Sequence, residues 1–495
     1  MLDSTHYRHM ALSPRDARTW ALMAAVGVLA FAVRLVPVLH GGGMTSFGRY
    51  DDGVYYAAAD ALTFGRLPYR DFVLLHPPGI ALVLAPFALL GRLTTDPIGM
   101  GSARVAFMAI GACNAMLVAA ICRRWGRRAA ITGGVLYACW GSAIYAEQST
   151  MLEPLGNTAL LVALLLLMHP SRASSTRAEL VAGAVLGLAV TVKIWYVAPW
   201  AALVVLMLVR RRWATSARLA GAGAAVASVV LVPFFALAPG AMVRMVVLDQ
   251  LGRHTSGPSR LARLGHVFGL GRGLTNHQPA LTQLTAFVVL GVVVLTAFCW
   301  ADRAARPVVL VLVVNLVVLL ASPTFFQHYA ALVAAPAAVV VGIGLALVLR
   351  RIRVPVLLPA TVGAIIIGAG LTALSPVGKH VPESFTALAP PGCVASDDPT
   401  VLVQLDRLSS DLRAGCVVPV DVSGITYDTL SQDGLTRRHN KSWQHFLRDY
   451  LVTGQSFVLA RTSADHITTA IANELTTHQA LAVGNGLTLR RGGGT

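Results

Sequence analysis

The chain has 495 residues, 55% hydrophobic and only 13% charged, with 40 Lys and Arg against 23 Asp and Glu and a formal charge of +17. A soluble protein of this length would be about 25% charged, so the composition sets aside a soluble globular enzyme. It sets aside nucleic-acid binding as well, because the arginines fall in short clusters between apolar runs: Arg123 to Arg128, Arg172 and Arg177, Arg210 to Arg218, Arg303 and Arg306, and Arg350 to Arg353. That is the positive-inside signature of a polytopic membrane protein.

In chain order, an apolar run at 19–39 follows Arg15 and Arg18. It is too long for the hydrophobic segment of a signal peptide, and no small-x-small cleavage site follows, so it reads as a retained anchor with the N-terminus cytoplasmic. Placing every basic cluster inside predicts further spans at 103–121, 129–146 and 154–169, two short ones within 178–209 that turn at Lys193, and then 219–237, 281–300, 307–321, 329–349 and 354–374. The count is about eleven transmembrane helices. The stretch 72–91, "FVLLHPPGIALVLAPFALLG", would break this parity as a crossing, and its paired prolines remove backbone donors. It is expected to be a re-entrant or juxtamembrane element on the outer side.

External loops then cover 40–102 and 238–280, in a membrane domain of residues 1–375. From 376 to 495 the composition changes: short strand-like runs at 401–405, 417–420, 456–460 and 487–489 alternate with helical patterns at 441–453 and 465–477. That predicts a small extracytoplasmic α/β domain. Its only two cysteines, Cys393 and Cys416, are expected to pair, since an exported domain permits a disulfide. "SDDP" at 396–399 reads as a helix cap or turn rather than a metal site.

With this topology the ionisable residues collect on the outer face. The first loop carries "RYDDGVYYAAADALTFGRLPYRDFVLLHPPG" (49–79), with Asp51, Asp52, Tyr55, Arg70 and His76. Residues 54–64 can form an amphipathic helix lying in the interface, where tyrosines are at home. The two aspartates would stand at or near its N-terminus, where the helix dipole favours negative charge. The plainer alternative is that they only cap it. Glu147 and Glu153 mark the outer ends of two spans, and His328 the mouth of a late one. The loop 238–280 is basic against the positive-inside bias and includes Arg253, His254, Arg260 and Arg263. Arginines there suit a lipid-linked phosphate or, more blandly, bulk anionic headgroups. Tandem carboxylates opposite such a loop point to a general base, Asp51 or else Asp52, beside an anion site. A divalent metal could bridge either aspartate to the phosphate, but no dense ligand cluster requires one, and no cofactor is expected.

Three segments carry a resemblance. "YDDGVYYAAADALTFGRLPYRDFVLLHPPG" resembles the first external loop of GT-C-fold glycosyltransferases, in the branch of aminoarabinose transferases and protein mannosyltransferases. "GLAVTVKIWYVAPW" (187–200) resembles their helix ending in Thr-Lys, and "HYAALVAAP" (328–336) their late Tyr-Leu-Leu-x-x-x-x-Pro helix. The resemblance covers roughly residues 15–375, and the tail is similar to the exported domain of actinobacterial members. It implies sugar transfer, with inversion, from a polyprenyl-phosphate donor to a glycan, glycolipid or protein acceptor of the cell envelope, on the outer face of the plasma membrane and among its lipids. Mannose and arabinofuranose are the obvious sugars. Asp51 takes the place of the family's catalytic aspartate and Asp52 that of the neighbouring acid. Lys193 matches the family lysine. His76 stands where a phosphate-binding lysine is common, a departure that weakens phosphate binding. The donor phosphate is expected among His76, Lys193, Arg253, His254, Arg260, Arg263 and His328, with Tyr55, Arg70, Glu147 and Glu153 in the same pocket. The rival reading is a lipid-linked sugar flippase or transporter. Such a protein should carry charges at the bilayer midplane and show repeat symmetry, whereas these spans are nearly charge-free.

Overall fold

Long apolar helices occupy most of the chain up to residue 351, and a small mixed sheet with helices follows. The computed structural model describes residues 14–41, 43–47, 49–168, 175–253, 257–271, 279–351, 368, 378–428, 436–462 and 466–493. The first ten α-helices are Pro14–His40 (α1), Tyr50–Thr63 (α2), Gly79–Leu93 (α3), Asp96–Cys122 (α4), Arg127–Ala138 (α5), Gly141–Glu147 (α6), Glu153–Met168 (α7), Thr176–Val192 (α8), Val197–Val209 (α9) and Trp213–Leu237 (α10). Pro279–Ala301, Arg306–Ala321 and Ala331–Arg351 complete the membrane part.

Every predicted span within the described residues coincides with helix; the segment 354–374, Gly368 excepted, lies outside them. Among the described residues, five helices are long and apolar enough to cross a membrane, and a sixth if α5 and α6, bent by 56° at their junction, count as one. The others fall short. At 1.5 Å per residue, a helix of 15 or 16 residues such as α3 or α7 reaches only about 24 Å, against a hydrocarbon core of about 30 Å. Against the expected count of about eleven, the described residues hold five or six candidate spans in a multi-pass membrane protein. The 72–91 stretch is one of the short elements: α3 starts directly after Pro77 and Pro78, where their missing N–H groups cost little.

Helix α2 departs further from expectation. It begins at Tyr50 rather than 54, and residues 52–61 are all buried. It does not lie on the membrane surface as an amphipathic helix. Its alanines pack against α3 on one side, and the C-terminal domain covers the other. The contact is closest at Gly53, where an added Cβ would stand 2.2 Å from Thr400 Oγ1 and 2.9 Å from Thr400 N. Gly53→Ala should therefore push the C-terminal domain off α2 and cost about 1–3 kcal/mol, the usual range for overpacking. A lowered melting midpoint of the purified protein in detergent is the check.

In the C-terminal domain, strands Val394–Ser396 (β1), Ser456–Val458 (β2), Ala480–Gly484 (β3) and Leu487–Arg491 (β4) form one sheet in the order β1-β2-β4-β3. The β1–β2 pair is parallel and the other two pairs are antiparallel. Asn485 and Gly486, both at positive φ, make the tight turn between β3 and β4, as such two-residue hairpins require. The helices Lys441–Thr453 and Thr469–Thr476 match the predicted patterns. The run 401–405 is a helix instead of a strand, Pro399–Gln404, because Asp398 caps it by accepting from Thr400 N and Pro399 opens it. Cys393 and Cys416 are joined by a disulfide.

Candidate active site

Asp51 and Asp52 point about 100° apart on the helix, and only Asp51 turns to the cavity. Asp51 shares its face with Val54 and Tyr55, and these three line a pocket of about 220 Å³. Leu74 to His76, Tyr145, Met151, Arg253 and Phe326 to Tyr329 complete its membrane side, and Asp421, Ser423, Gly424, Arg437 and Arg461 of the C-terminal domain complete the other. Asp52 points away. Fully buried, it pairs with the buried Arg104, whose Nη2 and Nε donate to Oδ2 at 2.5 and 3.1 Å.

The side chain of Asp51 is 35% exposed, and its Oδ2 lies 3.6 Å from Nε2 of His328. That is an ion-pair distance, longer than a hydrogen bond. His328 sits in the 3-10 turn Gln327–Ala330 that opens the last described membrane helix, its ring stacked on Phe326 and edge-on to Tyr329. Arg253 Nη1 donates to the Tyr329 hydroxyl at 3.1 Å. The confined surroundings push the Asp51 carboxyl above its ordinary 3.8; His328, Arg253 and Arg461 oppose this, while Asp421 adds to it. His76 meets Tyr55 edge-on, with ring centroids 5.7 Å apart. Burial holds His76 well below its ordinary 6.5, reinforced by Lys193, Arg253 and His328, so its ring is neutral near pH 7. The Tyr55 hydroxyl is buried with no hydrogen-bond partner among the described residues. It is a donor available to a bound molecule.

The structure thus brings Asp51, Tyr55, His76, Arg253 and His328 together and leaves the other expected residues elsewhere. Lys193 stands behind Tyr329, 4.1 Å from its ring centroid, with Nζ on Glu153 Oε1; the two charges pair with each other away from the pocket lining. Glu147 is bound by Arg34, by the Tyr137 hydroxyl at 2.7 Å and by Asn114 at 3.1 Å. Arg263 donates to the carbonyls of Pro258, Leu319, Ser322 and Pro323, so it clamps a chain crossing and does not face the pocket. Arg260 is exposed, and Arg70 pairs with Asp71 at the surface. His254 lies outside the described residues. Of the basic loop, Arg253 alone among the described residues lines the cavity; it follows a π-helical turn, Arg244–Leu248, a local irregularity common at functional sites.

Sequence reasoning missed Arg49, Tyr50, Tyr145, Gln327, Tyr329 and the whole contribution of the C-terminal domain. Tyr329, adjacent to His328, could have been suspected; nothing local marks Asp421 or Arg461. Asp51 and Asp421 are the pocket's carboxylates, and no group of three or more His, Cys, Asp or Glu converges anywhere among the described residues.

Comparison with known proteins places the chain in a family. The sequence matches glycosyltransferase family 87 over residues 74–323, just over half of the chain. No curated protein matches it. Among solved structures the fold is similar to that of ArnT from Cupriavidus metallidurans bound to undecaprenyl phosphate, at a TM-score of 0.61 and 18% identity over 96% of this chain and 98% of that one. The apo state of the same protein gives the same values. The archaeal oligosaccharyltransferase AglB from Archaeoglobus fulgidus, in complex with an inhibitory peptide and a dolichol-phosphate, aligns at a TM-score of 0.53 and 13% identity, over 90% of this chain and 69% of that one. At such identities the likeness is one of fold, and the family match supplies the activity: the chain belongs to glycosyltransferase family 87 and is a membrane glycosyltransferase of GT-C type.

Proposed function

We propose that the protein transfers a sugar, with inversion, from a polyprenyl-phosphate donor to a hydroxyl of a cell-envelope acceptor at the outer face of the membrane. The observation that carries this reading is Asp51 facing His328 across a polar pocket that holds Arg253 and borders membrane helices. The undecaprenyl phosphate on ArnT and the dolichol-phosphate with AglB support the donor class. A disulfide in the C-terminal domain supports an oxidising, extracytoplasmic compartment for that side of the pocket.

In this reading the acceptor oxygen attacks the anomeric carbon while Asp51 takes its proton. The bond from the anomeric carbon to the phosphate oxygen breaks, and polyprenyl phosphate leaves. The charge developing on that phosphate needs fixed donors where water is excluded, and one such contact is worth about 2.7–4 kcal/mol. Arg253 is assigned the phosphate, with the neutral His76 and the Tyr55 hydroxyl as further donors. His328 stabilises the Asp51 carboxylate and can relay its proton onward. Asp52 is assigned no proton transfer, because Arg104 engages it away from the cavity.

The test uses the purified full chain in lipid vesicles with polyprenyl-phosphate mannose or polyprenyl-phosphate arabinofuranose and extracted envelope glycans. Mass spectrometry should find a glycan heavier by one sugar and free polyprenyl phosphate. Transfer from a nucleotide sugar alone would overturn the donor assignment, and movement of the lipid-linked sugar between leaflets without bond cleavage would overturn the enzyme reading. A base must be ionised to act, so the rate should fall as the pH drops through the Asp51 pKa. The acid limb of kcat should accordingly lie above 3.8, the ordinary carboxylate value.

A further inference from the structure

Helix α2 starts without a side-chain cap: Arg49 occupies the capping position and makes no such bond. The first turn of a helix has unsatisfied backbone donors and frays unless something holds it. Here the C-terminal domain holds it, through Tyr50. The Tyr50 hydroxyl donates to Asp421 Oδ1 at 2.9 Å and accepts from Ser423 N at 2.8 Å. Asp421 is itself fixed by Gly424 N, which donates to the same oxygen at 2.7 Å. Above the ring lies Arg461, its guanidinium carbon 4.1 Å from the Tyr50 centroid, with Nη1 donating to Ser423 Oγ. Arg461 is anchored in turn: its backbone N–H and that of Ala460 both donate to Asp397. The ring and hydroxyl of Tyr50 are thus gripped together by residues hundreds of positions away, and the next residue is Asp51. Tyr50, Asp421, Ser423 and Arg461 all lie outside the span matched to the family.

We propose that the C-terminal domain is a working wall of the active site, and that its Asp421–Ser423–Arg461 grip on Tyr50 is the positioning element that sets Asp51 against His328. The proposal rests on the functional reading above. A carboxylate that must meet a proton in flight tolerates little displacement: misplacement by about 1 Å costs on the order of a hundredfold in rate. The grip also sets the field at Asp51. The charged and titratable groups around Asp51 are His328, Arg253, Arg461, Asp421, Tyr55, Tyr329 and Lys193, and Asp421 is a negative one supplied by the C-terminal domain.

Two substitutions test this, assayed on the full-length protein with whichever polyprenyl-phosphate sugar supports transfer. Tyr50→Phe keeps the ring beneath Arg461 and removes both hydrogen bonds. We expect kcat to fall by about ten- to a hundredfold with the donor KM within about twofold. Asp421→Asn keeps an acceptor for Tyr50 and removes the charge, so the acid limb of the kcat profile should move to lower pH. A Tyr50→Phe enzyme with wild-type kcat overturns the proposal, as does one whose loss lies wholly in donor KM. An Asp421→Asn profile that stays in place or moves up also overturns it, and decides the matter if Tyr50→Phe does not fold. Absence of transfer by the unaltered chain is a different result: it overturns the functional reading, and this proposal with it.

Discussion

Asp51→Asn should abolish transfer while leaving the protein folded. The substitution keeps the size and hydrogen-bonding shape of the side chain and removes its ability to accept a proton. A positioned base contributes about 10²–10⁴-fold, and the loss should fall entirely in kcat. The donor KM should hardly change, because the phosphate contacts are assigned to other residues, Arg253 and His76. The fold should survive for a structural reason as well: Asp51 is one-third open to the cavity and its partner, the His328 ring, stands 3.6 Å away, so little packing depends on it. Single-turnover kinetics with a polyprenyl-phosphate sugar, beside a melting curve, check both halves. A variant that still turns over at the parent rate would take the base assignment away from Asp51.

One residue later, the same kind of substitution should do the opposite. Asp52→Ala removes the partner of Arg104 in a site closed to water. Arg104 also donates to the carbonyls of Met44 and Ser46 at 2.7 and 2.9 Å, so the pair ties α2, α4 and the loop after α1 into one unit. Breaking one half of a buried pair leaves an uncompensated charge and typically costs about 3–5 kcal/mol. The melting midpoint in detergent should drop sharply, while the fraction that remains folded at low temperature keeps a near-normal donor KM and kcat. Replacing both partners, Asp52→Ala with Arg104→Met, should recover much of the loss, since no charge is then stranded. If Asp52→Ala melts like the parent and yet loses transfer, the roles of the two aspartates are reversed.

These paired predictions show where reading the chain stops. The membrane class followed from composition, and helix positions followed from apolar runs, because both depend on residues close in sequence. Helical geometry also says that two adjacent aspartates point about 100° apart and so have different surroundings. Which one faces the cavity depends on what packs around α2, and Arg104, 52 residues on, makes that choice. The basic loop was visible as a cluster of arginines; that Arg253 reaches the cavity while Arg263 is occupied by four backbone carbonyls could be seen only once the helices were packed.

Local pattern alone therefore determined the class, most helix positions and the candidate aspartate pair of this protein. Tertiary structure decided that Asp51 faces His328 and that the C-terminal domain closes the pocket. The Tyr50–Asp421 contact joins residues 371 positions apart. Periodicity and capping act over a few residues, whereas a cavity wall is set by whichever distant surfaces bury the most area against each other.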